Sequence, residues 1–163
     1  MSTPIWLKVG KTHVGLKEVP GAGNNPIIVN WLISLKAWWK EDLTPWCGTF
    51  CGILFKSTNH AIPKAWYRAK AWLDWGTKLD RPALGCVVIY SRVGGGHVGI
   101  VAGRDTKGRL LVLGGNQSDA VSIAPFGLDR IPDGYRWPAD SWEQPNYELP
   151  VFVNNEQASL NEA

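Results

Sequence analysis

The sequence lacks the long apolar run that a membrane-spanning helix needs, and no window of its 163 residues approaches one. It also lacks runs of like charge: 17 basic and 14 acidic residues leave a formal charge of +3, spread along the chain. Such an excess mildly favours an anionic partner but is far too small to indicate nucleic-acid binding. We therefore expect neither membrane insertion nor a nucleic-acid partner.

A complete disulfide framework is also excluded, because the chain has three cysteines, an odd number. Free thiols are typical of a reducing compartment. The first eight residues, MSTPIWLK, lack the uninterrupted apolar core of a signal peptide. We expect synthesis in the cytoplasm, so that action elsewhere would require a partner that releases or exports the protein.

Patterns for metal binding are weak. No Asp-x-Asp-x-Asp-Gly calcium loop occurs in the sequence. The candidate zinc ligands do not have zinc-knuckle spacing; they are Cys47, Cys51, His60 and Cys86. Since isolated cysteines in apolar segments are usually buried, Cys51 and Cys86 are predicted to be inert core thiols. We expect no metal site and no cofactor.

Helical patterns occupy the first half of the chain and strand patterns the second. Helices are predicted over 4–16, 27–39, 47–57 and 65–75, the second capped by Asn25 with Pro26 following. Strands are predicted over 86–90, 97–102, 110–113, 121–123 and 135–137. This order predicts an α+β fold, with N-terminal helices packed on a small antiparallel β-sheet. We expect one catalytic domain over 1–153 and a polar tail over 154–163, in a monomer.

The segment Thr44-Pro45-Trp46-Cys47 predicts a helix start. Thr44 suits the N-cap and Pro45 suits the first helical position, where its missing N–H costs nothing. Cys47 then lies in the first turn. Unpaired N–H groups and the positive end of the helix dipole favour the thiolate there, and the thiolate is the nucleophilic form of cysteine.

Two later residues are candidates for partners of this cysteine. His97 follows glycines 94–96, which form either a hairpin turn or a hinge, and it opens an apolar strand; Asn116 closes another strand that begins at Leu110. If these strands pair across the turn at 105–108, His97 faces Asn116 and Val101 faces Val112. Nucleophile, base and orienting amide then meet at one end of the sheet, the arrangement of a cysteine hydrolase.

Ten tryptophans are unusually many for a chain of this length. Because large aromatic side chains dominate buried area, most of them are predicted to lie in the core. Trp46 is the exception, since a side chain next to a nucleophile often lines the cleft. We predict that it contacts substrate.

Several motifs together resemble the CHAP/NlpC-type peptidoglycan amidases and endopeptidases, which have a papain-like fold, and in particular a single-domain phage-endolysin branch. They are Trp-Cys-x-x-Phe at 46–50, Gly-x-Val-Val at 85–88, Gly-His-Val-Gly-Ile-Val at 96–101 and Gly-Gly-Asn-Gln-Ser-Asp at 114–119. The resemblance spans roughly 18–138. It implies that Cys47 is the nucleophile, His97 the general base and acid, Asn116 the orienting residue and Gln117 a neighbour that shapes the substrate cleft.

The resemblance also implies the substrate, the peptide part of bacterial peptidoglycan, which an endolysin reaches when a partner such as a holin opens the membrane. The amide cut is either the muramoyl–L-alanine bond or one inside the stem peptide. One position departs from the pattern: Gly85-Cys86 stands where such proteins usually carry Gly-Asp. Two alternatives stay open, an interbacterial amidase toxin with a cognate immunity partner and a catalytically inactive wall-binding module.

Overall fold

The computed structural model describes residues 3–19, 23–40 and 45–153. Three α-helices come first: α1 (Ile5–Lys11), α2 (Pro26–Ser34) and α3 (Cys47–Ser57), followed by a 3₁₀ helix (Ala69–Asp74). The strands are β1 (Thr77–Leu79), β2 (Val87–Arg92), β3 (Gly95–Asp105), β4 (Leu110–Gln117), β5 (Ala120–Phe126), β6 (Gly134–Trp137) and β7 (Val151–Phe152). The predicted tail, 154–163, lies outside the described residues.

The strands form one sheet in the order β1-β6-β2-β3-β4-β5, with every neighbouring pair antiparallel. The two-residue strand β7 adds to β3 in parallel. The prediction of an α+β fold with a small antiparallel sheet is therefore confirmed. Strands β1 and β7 were missed because three residues and two residues are too few to show a period-two pattern.

The register between β3 and β4 agrees with the prediction at its centre, where Val101 lies opposite Val112 and Ile100 opposite Leu113. Pairing ends there, so His97 and Asn116 are not cross-strand partners. On its other side β3 continues to pair with β2 as far as Gly95, which places His97 opposite Tyr90. The start of β3 thus has an unpaired edge toward β4, close to the predicted site.

Helix α2 begins as predicted and ends earlier. Asn25 is its N-cap and accepts a hydrogen bond from the Ile27 N–H at 2.8 Å, while Pro26 occupies the first turn. Lys36 then adopts a left-handed φ of 59°, and the Ala37 N–H donates to the Leu32 carbonyl at 2.9 Å. This Schellman-type ending stops the helix at Ser34, because Lys36 takes the position that glycine usually fills.

Two other predicted helices are also shorter than expected. Helix α1 ends at Lys11, and the segment 65–75 contains only the 3₁₀ helix Ala69–Asp74. In that segment the Trp72 indole is fully buried and donates to the Trp66 carbonyl at 3.0 Å. Burial of this indole against its own chain holds the segment in tight turns, where a regular α-helix was predicted.

Helix α3 packs against β3 and β4 and is the centre of the core. Seven tryptophans are buried, as predicted for most of them: Trp6, Trp31, Trp46, Trp66, Trp72, Trp75 and Trp137. The Trp6 indole donates to the Gly85 carbonyl at 2.7 Å, which ties α1 to the segment leading into β2. Within the described residues, no helix is long and apolar enough to cross a bilayer.

Candidate active site

Cys47 is the first residue of α3, and Trp46 is its N-cap. The prediction that Cys47 lies in the first turn of a helix is confirmed. The predicted cap is not: Pro45 precedes the N-cap, since Trp46 keeps a non-helical conformation with φ −125° and ψ 22°. Thr44 lies outside the described residues. The Trp46 side chain makes no capping hydrogen bond, and among the described residues the first N–H groups of the helix face the sulfur and can face a bound substrate.

His97 meets Cys47 from the start of β3. Its side chain is completely buried and lowers the pKa of the Cys47 thiol. One face of the imidazole stacks on Phe126, with ring centroids 5.7 Å apart and an interplanar angle of 18°. Packing therefore fixes the plane of the ring. It also fixes the directions in which the two ring nitrogens can donate or accept a proton.

Gln117 holds the His97 ring through one of its two nitrogens. Its Oε1 lies 3.0 Å from His97 Nε2. Its Nε2 donates to two carbonyls, those of Val112 at 3.2 Å and Ser122 at 3.0 Å. Because carbonyls only accept, the amide nitrogen must point toward them and Oε1 must point toward the imidazole.

This amide orientation sets the tautomer of the neutral histidine. An amide oxygen cannot donate, so His97 Nε2 carries the proton and donates it to Gln117. Nδ1 is then the nitrogen with a lone pair, and this buried atom is the one that can take the thiol proton. Cys47, His97 and Gln117 thus form a relay in which Gln117 fixes the imidazole and the imidazole is the acceptor for the thiol proton.

The orienting residue is therefore Gln117, whereas the sequence predicted Asn116. Pairing of β4 with β5 is interrupted between Gly114 and Gln117, and Asn116 has a left-handed φ of 57°. This bulge reverses the alternation of side chains and turns Gln117 toward the histidine. The Asn116 side chain is buried, and its Oδ1 has no hydrogen-bond partner among the described residues.

Gly114 leaves the space that the Gln117 amide occupies. A Cβ atom at Gly114 would lie 2.7 Å from Gln117 Cδ, closer still to Oε1, and 3.1 Å from His97 Nε2. Such distances are shorter than ordinary contacts between carbon and polar atoms. The Gly-Gly-Asn run that ends the strand was the sequence signal for this bulge, although it did not indicate which side chain would face the histidine.

The surroundings of Cys47 lower its pKa below the ordinary value. Burial is the largest effect and acts in the opposite direction, because it raises the pKa. The influence of the His97 imidazole outweighs it, together with backbone N–H groups of Val98 and Gly48. The Cys47 thiol therefore loses its proton more readily than an ordinary cysteine does.

The structure does not place Trp46 where a substrate would contact it. Its side chain is only 1% exposed, and a Cβ atom at Gly115 would lie 2.8 Å from its ring. The ring also packs near Trp31, with centroids 6.4 Å apart. Trp46 thus supports the start of α3 from within the core, because its buried indole fills volume that Gly115 of β4 leaves open.

A groove of about 260 Å³ opens at Cys47. Its lining includes Pro45, Cys47, Tyr67, residues 68–70, Arg92 and residues 94–96. Three of these side chains are cationic: Arg68, Lys70 and Arg92. The sequence did not indicate this cluster, because its members are separated along the chain and converge only when the 3₁₀ segment packs on the β2–β3 hairpin.

The glycines 94–96 divide between turn and strand. Val93 and Gly94 connect β2 to β3, with Arg92 opposite Gly95 in the hairpin register. Gly95 and Gly96 belong to β3. The hairpin interpretation is therefore the one that agrees with the structure.

The other two thiols are chemically distinct from Cys47. Cys51 and Cys86 are both fully buried. Burial raises the pKa of Cys51 well above its ordinary value and that of Cys86 to about 12. Cys86 Sγ accepts the Ala83 N–H at 3.5 Å, so the thiol provides an acceptor at the position where the resemblance leads one to expect an aspartate.

The site is defined by this geometry alone, because comparison with known proteins found no matching family model, no matching curated protein and no matching solved structure.

Proposed function

We propose that the protein is a cysteine hydrolase that cleaves an amide bond in the peptide part of bacterial peptidoglycan. The observation that carries the proposal is the relay from Cys47 through His97 to Gln117. A thiol with a lowered pKa, a base in contact with it and a third group that fixes the base are the requirements for nucleophilic catalysis. The proposed Cys–His–Gln set replaces the Cys–His–Asn set predicted from the sequence.

The first half of the reaction forms a thioester. Cys47 Sγ attacks the substrate carbonyl, the S–C bond forms, and the carbonyl oxygen becomes an oxyanion. Backbone N–H groups at the start of α3, including that of Cys47, are positioned to stabilise this charge. The tetrahedral intermediate collapses when the C–N bond breaks, and His97 gives its proton to the leaving amine.

The second half releases the acid. A water molecule attacks the thioester and loses a proton to His97, the S–C bond breaks, and the thiol regains a proton. The products are a carboxylic acid and an amine, so the net reaction consumes one water. Gln117 keeps the ring oriented through both halves, because its Oε1 stays on Nε2 while Nδ1 exchanges protons.

The substrate class is supported by the sequence motifs that resemble CHAP/NlpC-type enzymes. The α+β architecture, with the nucleophile on a helix and the base at the start of a strand, is compatible with the papain-like arrangement that this proposal includes. The endolysin role and a release step through a holin belong to the same proposal and follow from the resemblance.

The experiment that tests the function is mass spectrometry of purified peptidoglycan digested by the wild type and by Cys47→Ala. Walls with different stem peptides are used. We expect new fragments from the wild type only, and their masses identify the bond that is cut. Cys51→Ala is the matched control, since that thiol lies one turn away on α3 and is fully buried.

Two results would contradict the proposal. Equal fragment release by the wild type and Cys47→Ala would remove the thiol from the mechanism. Wall binding without fragment release on every wall type would instead favour the inactive binding module.

A further inference from the structure

We propose that the groove beside Cys47 selects substrates with free carboxylates, which Arg68, Lys70 and Arg92 hold next to the scissile amide. This inference rests on the proposed function and deepens it, because it names the charge state of the peptide that the site accepts. The ligand is an acidic peptide stem, as opposed to the same stem with its carboxylates amidated.

The three cations share one groove with the nucleophile. All three residues are exposed, and none has an ion-pair partner in the described part of the chain. The described residues that line the groove include no aspartate or glutamate. Among the described residues, the lining of the groove therefore carries three positive charges, whereas the chain as a whole carries only +3.

The cations are brought together by close packing around Gly96. Arg92 Nε donates to the Gly96 carbonyl at 3.3 Å, across the β2–β3 hairpin. Lys70 Cγ would lie 3.2 Å from a Cβ atom at Gly96, so the lysine stem covers the glycine. Two elements that are distant in sequence thus hold their positive charges above the same small surface.

The positive charges are not required to activate the thiol. The lowered pKa of Cys47 arises from His97 and from the N–H groups of Val98 and Gly48. Within the described residues, three cations without an ion-pair partner surround the sulfur, an arrangement that suits a bound anion. Guanidinium groups bind carboxylates through paired hydrogen bonds, and the lysine ammonium adds a point charge.

A first test uses the thiol itself as a reporter. Cys47 is alkylated with anionic iodoacetate and with neutral iodoacetamide, at low ionic strength, and peptide mapping assigns the product to Cys47. The rate with iodoacetate divided by the rate with iodoacetamide measures the charge of the groove, because the same sulfur attacks both reagents. A unit charge within the groove changes a rate by about two- to fivefold in water. We expect Arg68→Gln/Lys70→Gln/Arg92→Gln to lower the ratio about tenfold, and 0.5 M salt to lower it similarly in the wild type.

Lys107→Gln is the matched control. Lys107 is exposed and lies beyond the far end of β3, roughly 30 Å from the groove at about 3.3 Å per residue. It should leave the ratio unchanged, although it removes one charge from the protein. The double variant Arg68→Gln/Lys70→Gln, which keeps the Arg92–Gly96 hydrogen bond, covers the case in which the triple variant does not fold. A ratio in both groove variants within twofold of the wild type would overturn the inference.

A second test does not depend on a reactive thiol. Calorimetry measures binding of a synthetic stem peptide to Cys47→Ser, once with free carboxylates and once fully amidated. We expect at least tenfold weaker binding of the amidated peptide, and a difference that disappears in the groove variants. Equal binding of both peptides overturns the inference. If instead the acidic peptide binds preferentially but no wall type is cleaved, the proposed function fails while the carboxylate site stands.

Discussion

Gly114→Ala is the most direct test of the proposed relay, because it adds one methyl group beside the residue that orients the histidine. The added Cβ would lie 2.7 Å from Gln117 Cδ and 3.1 Å from His97 Nε2. The amide must then move by roughly 1 Å to restore ordinary contacts. That movement breaks its hydrogen bonds to His97, Val112 and Ser122.

The expected magnitude follows from this displacement. A misplacement of about 1 Å in a catalytic array costs about 10²-fold in rate. The buried amide also loses partners, which lowers the free energy of unfolding by about 1–3 kcal/mol. The assay is kcat/KM on the fragment that the wild type releases, together with a denaturant titration that reports stability separately.

Controls distinguish a local from a general effect. Gly108→Asn changes a glycine with a φ of 83° and open space around it, so it is expected to keep full kcat/KM. Gly114→Ala/Gln117→Ala should be no slower than Gln117→Ala alone, because both changes remove the same contact. Near-wild-type activity of Gly114→Ala would refute the reasoning, and so would a double variant in which the two losses multiply.

Further predictions concern the other residues of the site. Asn116→Gly should keep kcat/KM within about threefold, because the Asn116 side-chain oxygen makes no hydrogen bond to any described residue and glycine accepts its φ of 57°, whereas Gln117→Ala should lose about 10²-fold; comparable losses would contradict this assignment. Alkylation of Cys47 should reach half its maximal rate below the ordinary thiol pKa of 9.0, and His97→Ala should move that midpoint upward; an unchanged midpoint would remove His97 from the site. Between the lowered pKa and 9.0 the unfolded chain binds more protons at this thiol, so this group makes stability rise with pH, which denaturant titrations at several pH values measure. Trp46→Ala should cost about 3–5 kcal/mol of unfolding free energy because the side chain is buried, and a loss below 1 kcal/mol would contradict its place in the core.

The sequence predicted those features that depend on local patterns. The hydrophobic period and the turn at 105–108 were enough to place Val101 opposite Val112. The Asn25-Pro26 pair located the start of α2. The position of Cys47 in a first turn followed from the same kind of signal, although the cap itself was assigned too early in the chain.

Features that depend on single backbone conformations were not predictable. Lys36 ends α2 with a left-handed φ that lysine rarely adopts, and tertiary packing decides such a choice. The second example is the bulge at Asn116. A shift of one residue turns the side chains of a strand to its other face, so Gln117 faces the histidine where Asn116 was predicted to do so. The cationic groove depends on contacts between distant segments, which periodicity does not report.

The acceptors behind Gln117 restrict which residues can replace it. Its amide nitrogen faces the carbonyls of Val112 and Ser122, and also the Ser122 hydroxyl. A carboxylate has no hydrogen to donate, so Gln117→Glu would set a negative oxygen against two carbonyl oxygens. A lineage that exchanged this amide for an acid would have to rebuild the backbone of both β4 and β5 at the same time. The third residue of the relay is therefore kept neutral by the β4–β5 hairpin that surrounds it, and a substitution at position 117 alone cannot replace it with a carboxylate.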